Sequence, residues 1–255
     1  MAVASQKGRA DKARPFSHRS RLRRFWENFK ALLSALLFFV VLRTFFLEAY
    51  RIPSGSMIPT LLVGDWLFVN KLVYGPHIPF TSSNLPGYGD PKRGEVVVFK
   101  SPTQIDQPQD PNPTLVKRIV GVERDTLFMR NAVLYLNGVP QKLPTPTSNE
   151  GGVDSIDPLF DWQKRFTLAS SRFGPPPAQP SHDNWGPLVV PPRSYFMMGD
   201  SRYNSKDSRY WSFVPRQNIR GKPMFVYYSY NADDSDRPLP FLTDIRWSRI
   251  GHWIQ

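Results

Sequence analysis

Apolar positions along this chain fall into two regimes. Residues 31–42, ALLSALLFFVVL, carry no charge, and RTFFLEAY extends the run past Arg43 and Glu48. Beyond residue 50 the apolar stretches are short, rich in β-branched and aromatic residues, and closely punctuated by proline and glycine. The first regime predicts a helix. From Ala31 to Leu47 it would reach about 26 Å at the helical rise, marginal against a hydrocarbon core of about 30 Å. The second regime predicts strands: DWLFVNKLVYG (65–75), GEVVVFKSP (94–102), LVKRIVGV (115–122), AVLYLNGVP (132–140), SYFMMGD (194–200) and MFVYYSY (224–230). The NGV near residue 138 suits a hairpin turn. The proline-dense RFGPPPAQPSHDNWGP reads as loop. The expected fold is mostly β: an antiparallel β core with a smaller inserted excursion at about 127–192, preceded by one transmembrane helix.

Composition narrows this picture. Twenty-six prolines in 255 residues leave little room for long helices outside the apolar run. There is no cysteine, which excludes disulfides, thiolate metal sites and a cysteine nucleophile. The four histidines, His18, His77, His182 and His252, show no metal-ligand spacing, and nothing implies a metal or other cofactor. The formal charge is +12, and residues 1–30 alone hold nine Lys/Arg against two acids. A basic tail just before an apolar helix marks the cytoplasmic side of a membrane. A nucleic-acid arm would want a helix-turn-helix pattern, which is missing. A cleaved signal peptide would want a small-residue site, and FFLEAYR is bulky and charged. We therefore expect a basic cytoplasmic tail (1–28), a retained single-pass anchor (29–49), and an extracytoplasmic β core (50–126 and 193–255) interrupted by the insertion (127–192).

The candidate chemistry begins where the apolar run ends. In RIPSGSMIPT, Ser54 and Ser56 flank Gly55 between two prolines. A serine becomes nucleophilic only when a base takes its proton. His77 and His182 sit among loop prolines, so neither suggests that base. A lysine can serve if burial lowers its pKa. Lys117 lies inside TLVKRIVGV, between Leu115, Val116 and Ile119, Val120. Its neighbour Arg118 would point to the opposite face and stay solvated. An exposed Lys117 on a half-buried strand fits the same pattern.

Four motifs in order settle between these: RIPSGSMIPTLLVGDWLFVNK, KRGEVVVFKSP, LVKRIVGV and MGDSRYNSKDSRYWSFVP. Together they resemble the bacterial type I signal peptidases (leader peptidases), membrane-anchored Ser/Lys endopeptidases. The resemblance covers 30–130 and 188–228, and RWSRIG resembles the family's C-terminal end. It implies Ser56 as nucleophile and Lys117 as general base. It implies the Ser54 hydroxyl and the Ser56 backbone N–H as the oxyanion hole, Ser205 as the residue that orients the lysine, and Asp207 and Arg209 as a supporting ion pair. Three departures stand out: Ser201 and Tyr203 where the family commonly has Asn and Asp, and GVERD (121–125) in place of GLPGD.

The resemblance further implies signal-peptide removal from exported preproteins at the bacterial inner membrane, after small residues of the A-x-A type, close to lipid and to the secretion translocon, with no nucleic acid involved. An extended substrate would pair with strand edges at Arg51 to Ser54 and Asp110 to Lys117. Ile52, Met57 and Val116 would wall the pockets for its small side chains. MIPTLL and Trp66 would dip into the bilayer surface, and Tyr210, Trp211 and Phe213 would belong to the core. The alternatives are a self-cleaving Ser/Lys repressor, which the apolar run opposes, and a catalytically silent tethered binding domain, which the retained serines and lysine oppose.

Overall fold

The computed structural model describes residues 18–81, 83–141, 152–168 and 172–254, with side chains from Leu22 onward. Residues 1–17 of the expected basic tail lie outside the described residues, as do 142–151 and 169–171 of the expected insertion.

Helix α1 runs from His18 to Phe45. Within it Leu22–Phe45 is long and apolar enough, by length and composition, to cross a membrane. The helix stops earlier than the apolar run. Leu47–Arg51 form strand β1, paired antiparallel with β2 (Asp65–Asn70) from Leu47↔Asn70 to Arg51↔Trp66. Positions 47–49, expected at the end of the anchor, therefore belong to a sheet. Hydropathy continues across the junction, but the hydrogen-bonding partner that makes a strand there lies elsewhere in the sequence.

The remaining strands are β3 (Val96–Lys100), β4 (Thr114–Gly121), β5 (Thr126–Arg130), β6 (Val133–Leu136), β7 (Val139–Pro140), β8 (Trp185–Val189), β9 (Ser194–Met198), β10 (Val214–Pro215) and β11 (Ile219–Ser229). They form a seven-stranded sheet in the order β1-β2-β11-β3-β4-β9-β10 and a four-stranded sheet in the order β7-β6-β5-β8. Every named pairing is antiparallel. Register shifts in β11 at Ile219/Gly221, Pro223/Phe225 and Val226/Tyr228 bend that long strand, and such bulges are what let a sheet curl. The β6–β7 turn carries positive φ at Asn137 and Gly138, 53° and 89°, the geometry a tight hairpin demands. Strand β8 was hidden in the proline-dense stretch. It tolerates Pro187 because it lies at the edge of its sheet, where one N–H is not needed.

The sequence VVVF in β3 does not alternate because both faces are covered. Val96 and Val98 pack with Ile52, Met57, Leu61, Leu67, Val69 and Val226, while Val97 and Phe99 pack with Tyr74, Ile119, Met197 and Trp211. A third cluster joins the two sheets. It brings Leu127, Met129, Leu134 and Trp185 of the smaller sheet onto Val120, Phe196 and Met198 of the larger. Trp185 is fully buried and stacks on Phe196 with centroids 5.2 Å apart. As expected, Trp211 and Phe213 are core residues, and Tyr210 packs partly buried beside them.

Replacing Trp185 by alanine should cost about 3–5 kcal/mol and lower the thermal midpoint on the order of 10 °C. Calorimetry of the full chain in detergent checks this, and a loss below about 1 kcal/mol would mean that the two sheets do not share this core.

Candidate active site

Ser56 sits in a single 3-10 turn, Gly55–Met57, a few residues beyond β1. Met57, 1% exposed, fixes the turn in the core, and Leu61 N donates to the Met57 carbonyl at 2.9 Å. Ser56 lies at the start of the turn, so its own N–H has no intrahelical acceptor. Ser54 is exposed and extended (φ −143°, ψ 156°), and its hydroxyl makes no capping hydrogen bond. The turn therefore spends neither the Ser56 N–H nor the Ser54 hydroxyl as a capping donor. Gly55 has a φ outside the left-handed region. A Cβ there would approach Ile58 Cδ1 to 2.9 Å, a contact the isoleucine side chain can relieve by turning.

Strand β4 delivers Lys117 to this turn. The residue is 3% exposed, and its Nζ lies 2.5 Å from Ser56 Oγ. Burial strips water from the amine and lowers its pKa to about 8. The Asp207 carboxylate pushes it back up, the Arg209 guanidinium opposes Asp207, and Asp200 adds a weaker upward pull. An uncharged amine in hydrogen-bond contact with a hydroxyl can take its proton and later return it.

Behind the lysine stand two buried ion pairs. Arg209 binds Asp207 in a fork, Nε to Oδ1 and Nη2 to Oδ2, both at 2.8 Å, with neither side chain exposed. Burial alone would raise the Asp207 pKa. The guanidinium beside it, Lys117 and the Gly199 N–H reverse this, and the carboxyl lies below its usual range. Ser205 Oγ donates to Asp207 Oδ2 at 3.0 Å. Its proton is therefore committed to the carboxylate, and the hydrogen bonds of the Lys117 amine among the described residues run to Ser56. The second pair corrects an expectation. Arg118 is not solvated but 2% exposed, with Nε and Nη2 on Asp200 at 2.8 and 2.7 Å. Thr60 Oγ1 also donates to Asp200, at 2.6 Å, and Arg118 Nη1 donates to the Gly94 carbonyl. Both sides of β4 are covered here, so alternation could not send either residue to water.

The sequence reading passed over Gly199 and Asp200, though both stand in the quoted MGD. A Cβ on Gly199 would come within 2.2 Å of Ser205 Oγ and 2.5 Å of the Ser56 carbonyl oxygen. That carbonyl accepts from Ser201 N at 3.2 Å, so the departure at Ser201 leaves a backbone contact to the serine turn in place. The three residues expected to wall substrate pockets fall in one cluster. Ile52 and Met57 are buried at 4% and 1%, with Val116 partly buried against them. Of MIPTLL, Met57, Thr60 and Leu61 are buried, Ile58 and Leu62 are half-buried and Pro59 is exposed, and Trp66 is half-buried.

Residues 25–228 match the family model described as signal peptidase, peptidase S26. The chain belongs to that family. Signal peptidase I of Pseudomonas aeruginosa is 35% identical over 238 residues, covering 87% of this chain and 77% of that one. The Pseudomonas fluorescens signal peptidase I is 36% identical over the same shares, and that of Aquifex aeolicus is 32% identical over 78% of this chain and 81% of its own. A solved signal peptidase I from Enterococcus faecalis shares 25% identity over 52% of this chain at a TM-score of 0.31, too low to carry a statement about fold. Membership of the S26 family makes this chain a signal peptidase I enzyme, a hydrolase that removes signal peptides.

Two outcomes test this site. Gly199→Ala should lower kcat/KM on the order of 100-fold by displacing the serine turn, with a stability loss of about 1–3 kcal/mol from overpacking; activity within twofold of wild type would refute the contact. The second concerns Lys117. Its pKa in the folded chain is about 8, against 10.5 unperturbed. Below both values the native state bears the cost of a buried charge. Between them the unfolded chain holds the extra proton, so stability rises with pH and the cost is gone above both. Lys117→Met should therefore stabilise the fold at pH 7, by up to about 3 kcal/mol, and by progressively less towards pH 10. A gain equal at both pH values, read by denaturant unfolding, would locate its origin elsewhere.

Proposed function

We propose that this signal peptidase works through a Ser56–Lys117 dyad. The observation that supports it most is the buried Lys117 amine at 2.5 Å from the Ser56 hydroxyl. Neutral Lys117 takes the hydroxyl proton as Ser56 Oγ attacks the scissile carbonyl carbon. The Ser56 N–H and the Ser54 hydroxyl donate to the resulting oxyanion, where one such donor is worth about 2.7–4 kcal/mol in other hydrolases. The Lys117 ammonium then protonates the leaving amine, the C–N bond breaks, and an ester to Ser56 remains. Lys117, neutral again, removes a proton from water; the hydroxide displaces Ser56 Oγ, and the ammonium returns the serine proton. Ser205 supports the amine indirectly in this scheme. Its proton is on Asp207, and it acts on Lys117 through that carboxylate. Asp207 and Arg209 hold that serine in place.

Substrate specificity follows from strand edges and pocket size. Residues 114–117 of β4 pair with β3 on one side, whereas the β9 pairing begins at Arg118. The other edge of that segment is free to bind an extended preprotein by β-augmentation. Ile52, Met57 and Val116 bring apolar bulk close to the serine. Pockets walled this way leave room for small side chains only, the A-x-A preference. Residues 22–45 anchor the enzyme as a single-pass inner-membrane protein with the basic tail in the cytoplasm, the catalytic part outside, and the active centre near lipid and the translocon. A core of 50–126 with 193–255 and an insertion of 127–192 is supported by the seven-stranded and four-stranded sheets, whose strands begin at Leu47 and Thr126. Exposed Trp247 and Trp253 offer further interfacial aromatics.

Cleavage of a preprotein in detergent tests the dyad. Ser56→Ala and Lys117→Arg should each lose at least about 1,000-fold in kcat, the arginine because a guanidinium keeps its proton. Wild-type kcat/KM should rise with pH and level off above about 8, where the amine is neutral. A flat profile from pH 6 to 10 would rule out lysine as the base.

A further inference from the structure

The sequence left His182 unassigned, in a loop among prolines. In the structure it is 4% exposed and lies against the ion pair behind the lysine. Its Nδ1 is 2.8 Å from Asp183 Oδ1, and Tyr203 donates its hydroxyl to Asp183 Oδ2, also at 2.8 Å. The Tyr203 ring stacks on the imidazole at 4.5 Å. On the other side, Nε2 meets Arg209 Nη1. Asp183 can only accept and Arg209 can only donate, so one tautomer satisfies both: the proton is on Nδ1 and the lone pair is on Nε2. The Arg202 carbonyl lies 2.9 Å from Nε2 and also accepts from Arg209 Nη2; its second lone pair could take a proton from Nε2, so the proton position is what the experiment must read.

Arg209 makes a further contact here, beyond its fork to Asp207. Its Nε and Nη2 are taken by Asp207 and the Arg202 carbonyl, and the acceptor for Nη1 among the described residues is His182. A cavity of about 160 Å³ lined by His182, Asp183, Arg202, Tyr203 and Arg209 adjoins the contact. The guanidinium thus has somewhere to go if nothing holds it. The charged and titratable groups around the imidazole are Asp183, Arg209, Tyr203, the buried Arg202 and, one hydrogen bond further, Asp154. Those acting on Lys117 are Asp207, Arg209 and Asp200.

We propose that His182 is a positioning residue: its Nε2 lone pair holds Arg209 on Asp207 and thereby sets the net charge that the Lys117 amine faces. Tyr203, which departs from the family pattern, completes the device by fixing Asp183 and covering the ring. The inference presupposes Ser56 and Lys117 as nucleophile and base. With Arg209 released into the cavity, Asp207 faces the amine less compensated and favours its protonated form.

The experiment is the pH profile of kcat/KM for preprotein cleavage by the full chain in detergent. His182→Phe keeps a flat ring but removes the acceptor. His182→Gln supplies an amide oxygen in its place. The phenylalanine variant should shift the alkaline limb upward by about one pH unit and lose on the order of 10-fold at pH 7, with KM unchanged. The glutamine variant should stay within about twofold of wild type on both counts. Equal losses in the two variants, or a loss with the limb unmoved, or no loss in His182→Phe, would overturn the proposal. Should His182→Phe fail to fold, nitrogen-15 NMR of histidine-labelled wild type decides: a bare, pyridine-type Nε2 at His182 supports it, and a protonated Nε2 overturns it. A wild type that lacks the limb altogether defeats the Ser/Lys reading, whereas a wild-type limb unmoved by His182→Phe defeats this inference alone.

Discussion

An amine buried at 2.5 Å from a hydroxyl is the constraint around which the β part of this chain is arranged. Lysine in water is protonated and useless as a base, and its ammonium resists burial. The fold must remove solvent from Lys117 without supplying a bare carboxylate that would restore the proton. It does so by placing Asp207 nearby and tying it to Arg209 in a fork with no exposed atoms. The pair contributes two opposed influences on the amine, and desolvation prevails.

The second pair, Arg118–Asp200, shows how the same strand is locked. Arg118 and Lys117 are neighbours on β4, so the two long cationic side chains leave the backbone on opposite sides. One is charged and satisfied by a carboxylate, a hydroxyl and a carbonyl. The other, Lys117, meets a hydroxyl alone among the described residues, that of Ser56. Asp200 and Asp207 both come from the segment after β9, and β9 is the neighbour of β4 in the sheet. Sheet register therefore determines where the carboxylates stand relative to the lysine. Gly199 completes the fit, because the serine turn and Ser205 approach each other through the volume that any side chain would fill. Buried pairs of this kind are weak contributors to stability and strong determinants of arrangement.

Much of this was legible beforehand, and the failures have specific causes. Apolar runs located β2, β3, β4, β9 and part of β11, because a strand covered on both faces reads as continuous Val, Ile and Phe. Strand β1 was lost in the apolar run of α1, where hydropathy changes little while the backbone partner changes completely. Strand β8 was lost behind Pro187, which only an edge position permits. Arg118 was expected in solvent since alternation assumes one wet face, and β4 has none. His182 was dismissed for its proline-rich surroundings, although those prolines do not prevent burial of the ring.

What the sequence determined by itself is chemical inventory and local form. It supplied a serine in a glycine-spaced turn, a lysine in an apolar strand, no cysteine to compete, one long apolar helix and many short strands. These follow from residue type and near-neighbour spacing, which a linear chain displays in full. The tertiary structure alone decided the burial of Lys117, the partner of Arg118, the course of the Ser205 proton and the neighbours of His182. Each of these depends on groups brought together in space, and proximity of that kind exists only once the sheets have closed around them.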